Sequence, residues 1–530
     1  MNNFQIPNTA EQLLAQLSRA TNRSMACCVF AEDVVSSFSQ EEKDILEIWG
    51  VRIAAQGDRS NFDKKSVINV LENPPAKLTG EERIAYARQH MPCIAYLANC
   101  YKEKGNIFEG IRIAADLIIE PKTAVLVMYL AELGADVSIA CLASSADEDI
   151  INALKKSGVR VYANTQNSIE DDFSDSLRIL DEMKPHIIVD DGAGLSKLLY
   201  MERPEYANGL IGICEETTSG VWALEQMYEE GILDVPAIAV NDSAIKTMFD
   251  NSHGTGETVI LTTISLLSEV NSAEHDENIM NVAFNADFDG NKIPEKSYTP
   301  VFSGKRVFLA GYGAVGSGIA KRVHALGADV IVSETNSVAA LRAIHDGYKV
   351  MKSLEGIESA DIIISATGVR HTITKQMLEA AKDGAIVAIA GGTYCEVALD
   401  DLLGENYIDC KDKLSTESAS WDVRDSDRCV LSLNNGKSFT VLTSGHGVNY
   451  TGGDGNPIEI MDLSFAGQFS AIAYLIENKG RLSPGVIRLP KEIAADAAAI
   501  KLKSMNAYAD TPKPPSNWRI TRYNKDITNK

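Results

Sequence analysis

The stretch Val307–Gly318, which reads VFLAGYGAVGSG, decides how this chain folds. Its apolar start is typical of a buried β-strand, and its second half is typical of a helix. Between the two stand Gly311, Gly313 and Gly316. In such a turn the first glycine permits a tight bend, the second lets the backbone approach a pyrophosphate, and the third lets the helix pack closely on the strand. The stretch therefore predicts the strand, turn and helix of a dinucleotide-binding domain.

The residue that ends the next apolar segment, ADVIVSE, narrows the choice of dinucleotide. Glu334 lies about 20 residues beyond the glycines, where an acid accepts hydrogen bonds from the ribose diol of NAD. A carboxylate at this place would repel the 2′-phosphate of NADP. We therefore predict NAD as the cofactor, against the alternative of an ordinary glycine-rich turn without a ligand.

Length, charge and cysteine content limit the class of protein. A chain of 530 residues exceeds what one hydrophobic core supports, so two or three domains are expected. The formal net charge of −23 argues against nucleic-acid or anionic-membrane partners, because these need clustered Lys and Arg. Nine cysteines without a C-x-x-C pair predict neither a disulfide framework nor a metal site. The N-terminus lacks a signal-peptide pattern and no apolar run reaches about 20 residues, so the expected location is the cytoplasm.

Strand-like and helix-like patterns alternate in two blocks along the chain. Repeated βα units of this kind predict an α/β fold with two doubly wound parallel-sheet domains, a Rossmann-like NAD domain and a larger substrate domain. The predicted division is an N-terminal extension at 1–80, a substrate domain at 81–256 and 451–490, an NAD domain at 257–450 with a surface insertion at 271–300, and a C-terminal tail at 491–530 with an expected role in oligomerisation.

Polar residues gather where predicted strands end, which is where open α/β sheets bind ligands. The segment HIIVDDG ends in Asp190 and Asp191, and the segment EETTSG supplies Glu216. Adjacent acids at a strand end also serve as helix N-caps, so both uses stay open. In VPAIAVNDSAIKTMFDN a helix would place Lys246 and Asp250 on one face, with a surface salt bridge as the alternative.

Taken in order, these segments resemble the S-adenosylhomocysteine hydrolase family. The motifs PKTAVL, VDDG, EETTSGV, VPAIAVNDSAIKTMFDN, GYGAVGSG, IISATG and HGVNYTGG follow the family's order over roughly residues 81–490. The resemblance implies an enzyme in which tightly held NAD oxidises a ribosyl 3′-hydroxyl to a ketone. A base then removes the C4′ proton, the 5′-thiolate is eliminated, water adds, and the hydride is returned.

The resemblance also implies a role for each matching residue. Lys246, beside Asp250, corresponds to the group that assists deprotonation of the 3′-hydroxyl. Asp191 corresponds to the acid near the C4′ proton, and Glu216 to the acid that binds the ribose hydroxyls. Contacts to NAD are implied for Thr217, Thr218, Ser219, Asn251 and Asn449.

Three family histidines have no counterpart in this chain. The HMT motif is replaced by a segment with Ile118 at the histidine and Glu120 at the threonine, and the GHP motif by Gly455-Asn456-Pro457. The remaining histidine corresponds to Gly391 or Gly392. Imidazoles manage protons near neutral pH, so the redox half of the site is predicted to be retained and the leaving-group half rebuilt.

Two titratable residues near these positions need a separate interpretation. Glu120 is the candidate for a new catalytic group, because an acid beside the ribose site is costly to bury without a partner. Its alternative is an exposed carboxylate turned away from the site. His446 lies close to Asn449 in sequence but replaces a non-histidine position of the family, so a structural role is expected.

Three functions remain open at this level. The first is oxidation and elimination on an altered nucleoside, with hydrolysis or net elimination as the outcome. The second is ordinary S-adenosylhomocysteine hydrolysis, and the third is a non-catalytic NAD-binding regulator. The expected partners are a nucleoside substrate and further copies of the chain, as a dimer or tetramer. The resemblance implies that a C-terminal lysine and tyrosine reach a neighbouring subunit's NAD site, for which this tail offers Lys513, Tyr523 and Lys525 without a clear match to the family.

Overall fold

A computed structural model describes residues 9–31, 35–54, 78–268, 300–391, 395–425 and 427–510. Two large sheets and a two-stranded pair organise these residues, in agreement with the predicted α/β class. The predicted insertion at 271–300 lies almost entirely outside the described residues, and Lys513, Tyr523 and Lys525 lie outside them as well. Within the described part of the chain, no helix is long and apolar enough to cross a bilayer.

A nine-stranded sheet carries the glycine-rich turn. Its parallel strands have the order β11-β10-β9-β12-β13-β17, the arrangement expected of a doubly wound domain. The bounds are β9 (Arg306–Ala310), β10 (Asp329–Ser333), β11 (Lys349–Val350), β12 (Ile362–Ser365), β13 (Ile386–Ile389) and β17 (Ser438–Leu442). The helices between them are α11 (Ala314–Ala325), α12 (Ser337–His345), α13 (Ser353–Ile357), α14 (Lys375–Ala380) and α15 (Leu399–Leu403).

Three further strands extend this sheet in antiparallel fashion, which the prediction of a purely parallel sheet did not include. They are β14 (Lys413–Ser415), β15 (Ala419–Val423) and β16 (Arg428–Leu433), and β16 pairs with β17 across a short turn. Gly436 in that turn has φ +88°, a conformation that glycine adopts without steric cost. The dipeptide Asn435-Gly436 between two alternating apolar runs is a hairpin signal. This hairpin could therefore have been predicted.

A seven-stranded sheet, parallel throughout, forms the second large unit. Its strand order is β18-β8-β7-β6-β3-β4-β5. The strands are β3 (Arg112–Asp116), β4 (Asp136–Ala140), β5 (Arg160–Tyr162), β6 (Ile187–Asp190), β7 (Gly212–Glu215), β8 (Pro236–Ala239) and β18 (Gly485–Arg488). The helices around it are α3 (Gly80–Gln89), α4 (Pro92–Lys104), α5 (Pro121–Glu132), α6 (Glu148–Lys156), α7 (Ile169–Met183), α8 (Gly194–Glu202), α9 (Thr218–Glu229), α17 (Ile458–Glu477) and α18 (Lys491–Ser504).

After β8, the chain crosses between the two sheets along two described segments. It leaves the seven-stranded sheet through a π-helical segment, Lys246–Thr255, which continues into α10 (Gly256–Leu267). It returns through α16 (Val448–Thr451) and α17, and its last strand, β18, pairs with β8. The seven-stranded unit is therefore built from segments that precede and follow the nine-stranded sheet in the chain.

The first crossing packs closely on α11, the helix that follows the glycine-rich turn, at two glycines. A Cβ at Gly318 would lie 2.1 Å from the carbonyl oxygen of Ser252, and a Cβ at Gly256 would lie 2.9 Å from the Cα of Gly318. No real Cβ atom approaches that closely, so the two helices meet backbone to backbone at glycines.

Part of the predicted N-terminal extension is integrated into the nine-stranded unit. It forms α1 (Ala10–Thr21), β1 (Val29–Ala31), α2 (Gln40–Ile48) and β2 (Arg52–Ala54). Leu13, Leu14 and Phe30 are buried in one apolar cluster with Val259 and Ile260 of α10. Each such buried side chain contributes about 2 kcal/mol relative to an exposed one. The extension is therefore anchored by an apolar core and does not form a separate appendage.

Candidate active site

A cavity of about 360 Å³ opens where strands of the seven-stranded sheet end. This is the edge at which open α/β sheets hold ligands. Four of its lining residues are the acids and the lysine predicted to be catalytic, Asp191, Glu216, Lys246 and Asp250. The fifth predicted catalytic residue, Glu120, lines it too. Other lining residues include Lys122, Tyr450, Asp454 and Asn456.

Of the two adjacent acids after β6, one caps a helix and the other belongs to the site, so each has one of the two roles that the sequence left open. Asp190 is fully buried and caps α8, because its carboxylate accepts from the backbone N–H of Ser196 at 2.7 Å and of Leu195 at 3.3 Å. Asp191 lines the cavity. Burial raises the pKa of Asp191 to about 7; the Lys246 ammonium opposes this shift, while nearby carboxylates, Glu216 first, add to it. Asp191 therefore changes its charge near neutral pH.

The adjacent acids after β7 divide in the same way. Glu215 is buried and holds the neighbouring turns, accepting from the backbone N–H of Gly192 at 2.9 Å and of Ala193 at 3.0 Å. Glu216 faces the cavity and accepts from Ser464 Oγ at 2.7 Å and from Gln468 Nε2, both on α17. Burial raises the pKa of Glu216, although the Lys246 ammonium opposes the shift.

Lys246 is the centre of charge in the cavity. Its Nζ lies 2.8 Å from Asp250 Oδ2, 3.4 Å from Glu216 Oε1 and 3.2 Å from Asn251 Oδ1. Burial favours the neutral amine, yet the two carboxylates outweigh burial and raise the pKa of Lys246 above its usual value. The predicted pair of Lys246 and Asp250 is thus a buried ion pair rather than a surface salt bridge.

Asn456 stands where the family's third histidine would be, and the sequence did not indicate its role. Its Nδ2 donates to Asp250 Oδ1 and to Thr255 Oγ1, and its Oδ1 accepts from Thr258 Oγ1 at 3.0 Å and from Asn449 Nδ2 at 3.2 Å. Asn456 is 2% exposed. It therefore joins the ion pair to the predicted cofactor residue Asn449 through a network that does not titrate.

Glu120 and Lys122 form a second ion pair in the cavity, at the start of α5. The carboxylate of Glu120 caps the helix, accepting from the backbone N–H of Lys122 at 2.9 Å and of Thr123 at 3.1 Å. It also lies 2.8 Å from the Nζ of Lys122, which is 2% exposed. The alternative of a carboxylate turned away from the site is wrong. Lys122, inside the quoted motif PKTAVL, was missed because nothing in the sequence reveals its buried acceptors.

The other positions of the lost histidines offer no replacement. Ile118 lines the cavity but does not titrate. At Gly391 a Cβ would lie 1.5 Å from Glu396 Oε1, so a side chain there would have to displace the Glu396 carboxylate, and Gly392 is outside the described residues. His446 is absent from the described lining, and burial lowers its pKa. Among the described lining residues there is no histidine.

The glycine-rich turn has the features that NAD requires. Gly311 has φ +95°, and a Cβ at Gly316 would lie 2.1 Å from the carbonyl oxygen of Gly311, so both positions demand glycine. Around Gly313 no atom lies within 4 Å of a built Cβ, which leaves space for a phosphate at the start of α11. Glu334 accepts from the backbone N–H of Tyr312 at 2.6 Å, so its carboxylate lies beside the turn.

The remaining predicted cofactor residues lie on the first crossing or beside it. Asn241 Oδ1 accepts from Thr218 Oγ1 and from Asn251 Nδ2, each at 3.2 Å. Thr217 caps α9, and its Oγ1 lies 3.4 Å from Ser219 Oγ. Asn449 is fully buried, and its Oδ1 has no hydrogen-bond partner among the described residues. An unpaired buried amide oxygen suits a cofactor amide donor.

A dinucleotide turn on one sheet, joined by short crossings to a cavity with a buried lysine and carboxylates, defines an NAD-dependent enzyme. Comparison with known families identifies which one. Residues 295–451 match the S-adenosyl-L-homocysteine hydrolase NAD-binding domain, and residues 72–207 match the S-adenosyl-L-homocysteine hydrolase family. The chain belongs to the S-adenosyl-L-homocysteine hydrolase family, is an NAD-dependent hydrolase of the adenosylhomocysteinase type, and uses NAD as its cofactor.

Similar proteins carry two different names. The chain is 37% identical to an adenosylhomocysteinase of Thermococcus kodakarensis over 433 residues, which cover 81% of this chain and 91% of that protein. It is 35% identical to an S-inosyl-L-homocysteine hydrolase of Methanocaldococcus jannaschii over 433 residues, 81% of this chain and 93% of that protein. An adenosylhomocysteinase of Thermotoga maritima is 35% identical over 436 residues, 82% of this chain and 96% of that protein.

Proposed function

We propose that this enzyme oxidises the 3′-hydroxyl of a thioether nucleoside and cleaves its 5′ substituent, with recognition of the base or of the 5′ group altered from that of ordinary adenosylhomocysteinases. The observation that carries the proposal is the contrast within one cavity. The groups needed for oxidation are present and mutually connected, whereas the described lining has no histidine and contains the pair of Glu120 and Lys122.

Lys246 and Asp250 act on the hydroxyl proton. Because the pKa of Lys246 is raised, its ammonium stays protonated and acidifies a hydroxyl bound against Nζ. Asp250, 2.8 Å from that Nζ, is the group within reach to receive the proton through it. NAD held at the glycine-rich turn would supply the hydride acceptor. Glu216, anchored by Ser464 and Gln468, presents acceptor oxygens for ribose hydroxyls.

Asp191 is the base for the acidified C4′ proton. A general base works best when its pKa is near the working pH, because it is then both deprotonated and basic enough. The pKa of about 7 for Asp191 meets that condition, whereas a solvent-exposed aspartate, at about 3.9, would be a far weaker base.

Glu120 serves the leaving-group half of the cavity. Its carboxylate is held by the backbone of α5 and by Lys122, so its position is fixed before substrate binds. A fixed acid can give a proton to a leaving thiolate and take one from incoming water. Loss of water addition would make the outcome net elimination instead of hydrolysis.

Two ordinary activities compete with this proposal. S-adenosyl-L-homocysteine hydrolysis is favoured by the identity to adenosylhomocysteinases, and S-inosyl-L-homocysteine hydrolysis by the comparable identity to proteins of that name. A purely regulatory role would need only the cofactor turn and gives no reason for the connected network around Lys246.

The test is a panel of nucleosides added to the purified holoenzyme while absorbance near 340 nm reports NADH. The panel includes adenosine, inosine and their S-linked homocysteine conjugates, and thiol release is followed in parallel. A cognate nucleoside should reduce the bound cofactor even where no 5′ group leaves. Lys246→Met should abolish the signal, and Lys155→Met, at an exposed lysine on α6, is the matched control.

Two results would contradict the proposal. Reduction of the cofactor by Lys246→Met at the parental rate would remove the assigned role of the lysine. Brisk hydrolysis of S-adenosyl-L-homocysteine by the parent, unaffected by Glu120→Gln, would identify an ordinary adenosylhomocysteinase.

We also propose that the seven-stranded unit is the substrate domain and that the enzyme works as a homo-oligomer. The first rests on the cavity at the sheet's carboxyl edge, and sedimentation of the purified protein tests the second.

A further inference from the structure

Residues Asn22–Met25, here called the strap, connect α1 to the cavity and to both crossings. They lie outside the residues that match the family, 72–207 and 295–451. Asn22 ends α1 in the left-handed conformation, with φ 45° and ψ 35°. The chain therefore turns sharply toward α17, and the backbone oxygen of Asn22 accepts from the N–H of Ile458, the first residue of that helix, at 3.0 Å.

The side chain of Asn22 reaches the wall of the cavity. Its Oδ1 accepts from Lys122 Nζ at 2.8 Å, and its Nδ2 donates to the backbone oxygens of Asp454 at 3.2 Å and Gly455 at 3.3 Å. Lys122 Nζ also donates to the backbone oxygen of Asp454 at 2.7 Å and lies 2.8 Å from Glu120 Oε2. The three donors of this ammonium therefore have three acceptors, one of them from the strap.

The rest of the strap is bound to the crossings. Arg23 pairs with the Glu459 carboxylate in the first turn of α17, and the Ser24 backbone N–H donates to the same carboxylate at 3.1 Å. The Met25 backbone N–H donates to Glu257, in the first turn of α10, at 2.8 Å. Four consecutive residues thus hold the start of each crossing helix and one wall of the cavity.

We propose that Asn22 is a positioning residue of the substrate cavity: it fixes the Lys122 ammonium and the loop at Asp454–Gly455, so that a segment outside the family-matched residues completes the binding site. This inference rests on the proposed function, because it concerns the same cavity. Asn22 does not line the cavity itself and acts through Lys122 and the loop.

The left-handed backbone at Asn22 permits a substitution that removes only the side chain. Glycine adopts a positive φ without strain, so Asn22→Gly deletes the amide and keeps the turn. Asn506 also has a positive φ, 53°, after the last turn of α18, and it is exposed. Asn506→Gly is therefore a matched control for glycine at a helix end.

Asn22→Gly should raise KM about tenfold for whichever of adenosine and inosine reduces the bound cofactor, the effect of losing one hydrogen bond to a charged group. The maximal rate of cofactor reduction should change less than about twofold, because the contacts of Lys246 are untouched. In a Lys122→Met background, Asn22→Gly should add less than its full effect, since part of that effect acts through the lysine and the rest through the loop. Asn506→Gly should behave as the parent.

Hydrogen–deuterium exchange of the holoenzyme tests the positioning role of Asn22 in the absence of substrate. Asn22→Gly should speed amide exchange in peptides that span 117–126 and 449–461, and Asn506→Gly should not. Unchanged exchange in both peptides, an unchanged KM, or an effect that adds fully to that of Lys122→Met would each overturn the proposal. If the parent reduced its cofactor with no nucleoside, the proposed function would fail while the exchange result still decided the role of Asn22.

Discussion

Asp191→Asn removes the group that we assign to the C4′ proton, and the structure sets the size of the effect. Burial raises the pKa of Asp191 from 3.8 to about 7, which corresponds to about 4 kcal/mol against ionisation at this place. At pH 7 about half of the molecules therefore carry the carboxylate. Losing a general base costs about 10²–10⁴ in rate, or about 3–5 kcal/mol of activation free energy.

The assay separates proton abstraction from cofactor reduction. With a cognate nucleoside in D₂O, mass spectrometry follows deuterium entering C4′, while absorbance follows NADH in the same sample. In the parent, exchange should rise with pH through about 7 and then level, because only the ionised carboxylate accepts a proton. Asp191→Asn should lower the plateau of the exchange rate by about 10²–10⁴ and abolish the rise of that rate near pH 7.

The assignment of Asp191 as the base has a matched control variant and defined contradicting results. Asp149→Asn, at an exposed aspartate on α6, should retain the parental profile. The assignment of the base would be refuted if Asp191→Asn exchanged at the parental rate, or if its exchange rate still rose with pH through about 7. A loss of both exchange and cofactor reduction would also refute it, because the contacts of Lys246 do not include Asp191.

Three further outcomes are expected. Glu334→Ala should weaken NAD retention about tenfold or more, measured as nucleotide released on denaturation, while Glu355→Ala, at an exposed position of α13, should not. Glu120→Gln should suppress thiol release while NADH formation persists, and single-turnover measurements separate the two; equal loss of both would contradict its role. Burial raises the pKa of Glu257 to about 7, so between about 4.5 and 7 the folded state binds more protons than the unfolded state and stability falls as pH rises. Glu257→Gln should remove up to about 3 kcal/mol of that fall, measured by urea unfolding at pH 5 and pH 8; an unchanged difference between the two pH values would disprove it.

Local features of the fold could be predicted from the sequence because their causes are local. The turn at Gly311, Gly313 and Gly316 depends on the positive φ of Gly311 and on the close approach of Gly316 to the Gly311 carbonyl, five residues before it. The parallel strands follow from their apolar runs and from the helices between them. The antiparallel hairpin also has a local cause, the Asn435-Gly436 turn between two apolar runs.

The site could be predicted only in part, because its geometry depends on distant residues. Asp190 and Asp191 are adjacent, yet one caps a helix and the other lines the cavity, and no spacing rule separates them. Asn22 and Lys122 are 100 residues apart and meet only in the fold. The N-terminal segment showed helix patterns, but its partners on α10 and α17 could not be read from them.

The glycine contact between α11 and the first crossing separates what evolution can adjust in this enzyme from what it cannot. Ser252, Gly256 and Gly318 touch through main-chain atoms, so no side-chain exchange can change the spacing there without moving whole helices. The backbone contact therefore fixes the distance between Lys246 and the glycine-rich turn. Adaptation to a new substrate has to proceed through residues such as Glu120, Lys122 and Asp454, whose contacts are made by side chains and loops. Directed-evolution libraries should concentrate on that wall and leave the glycine contact unchanged.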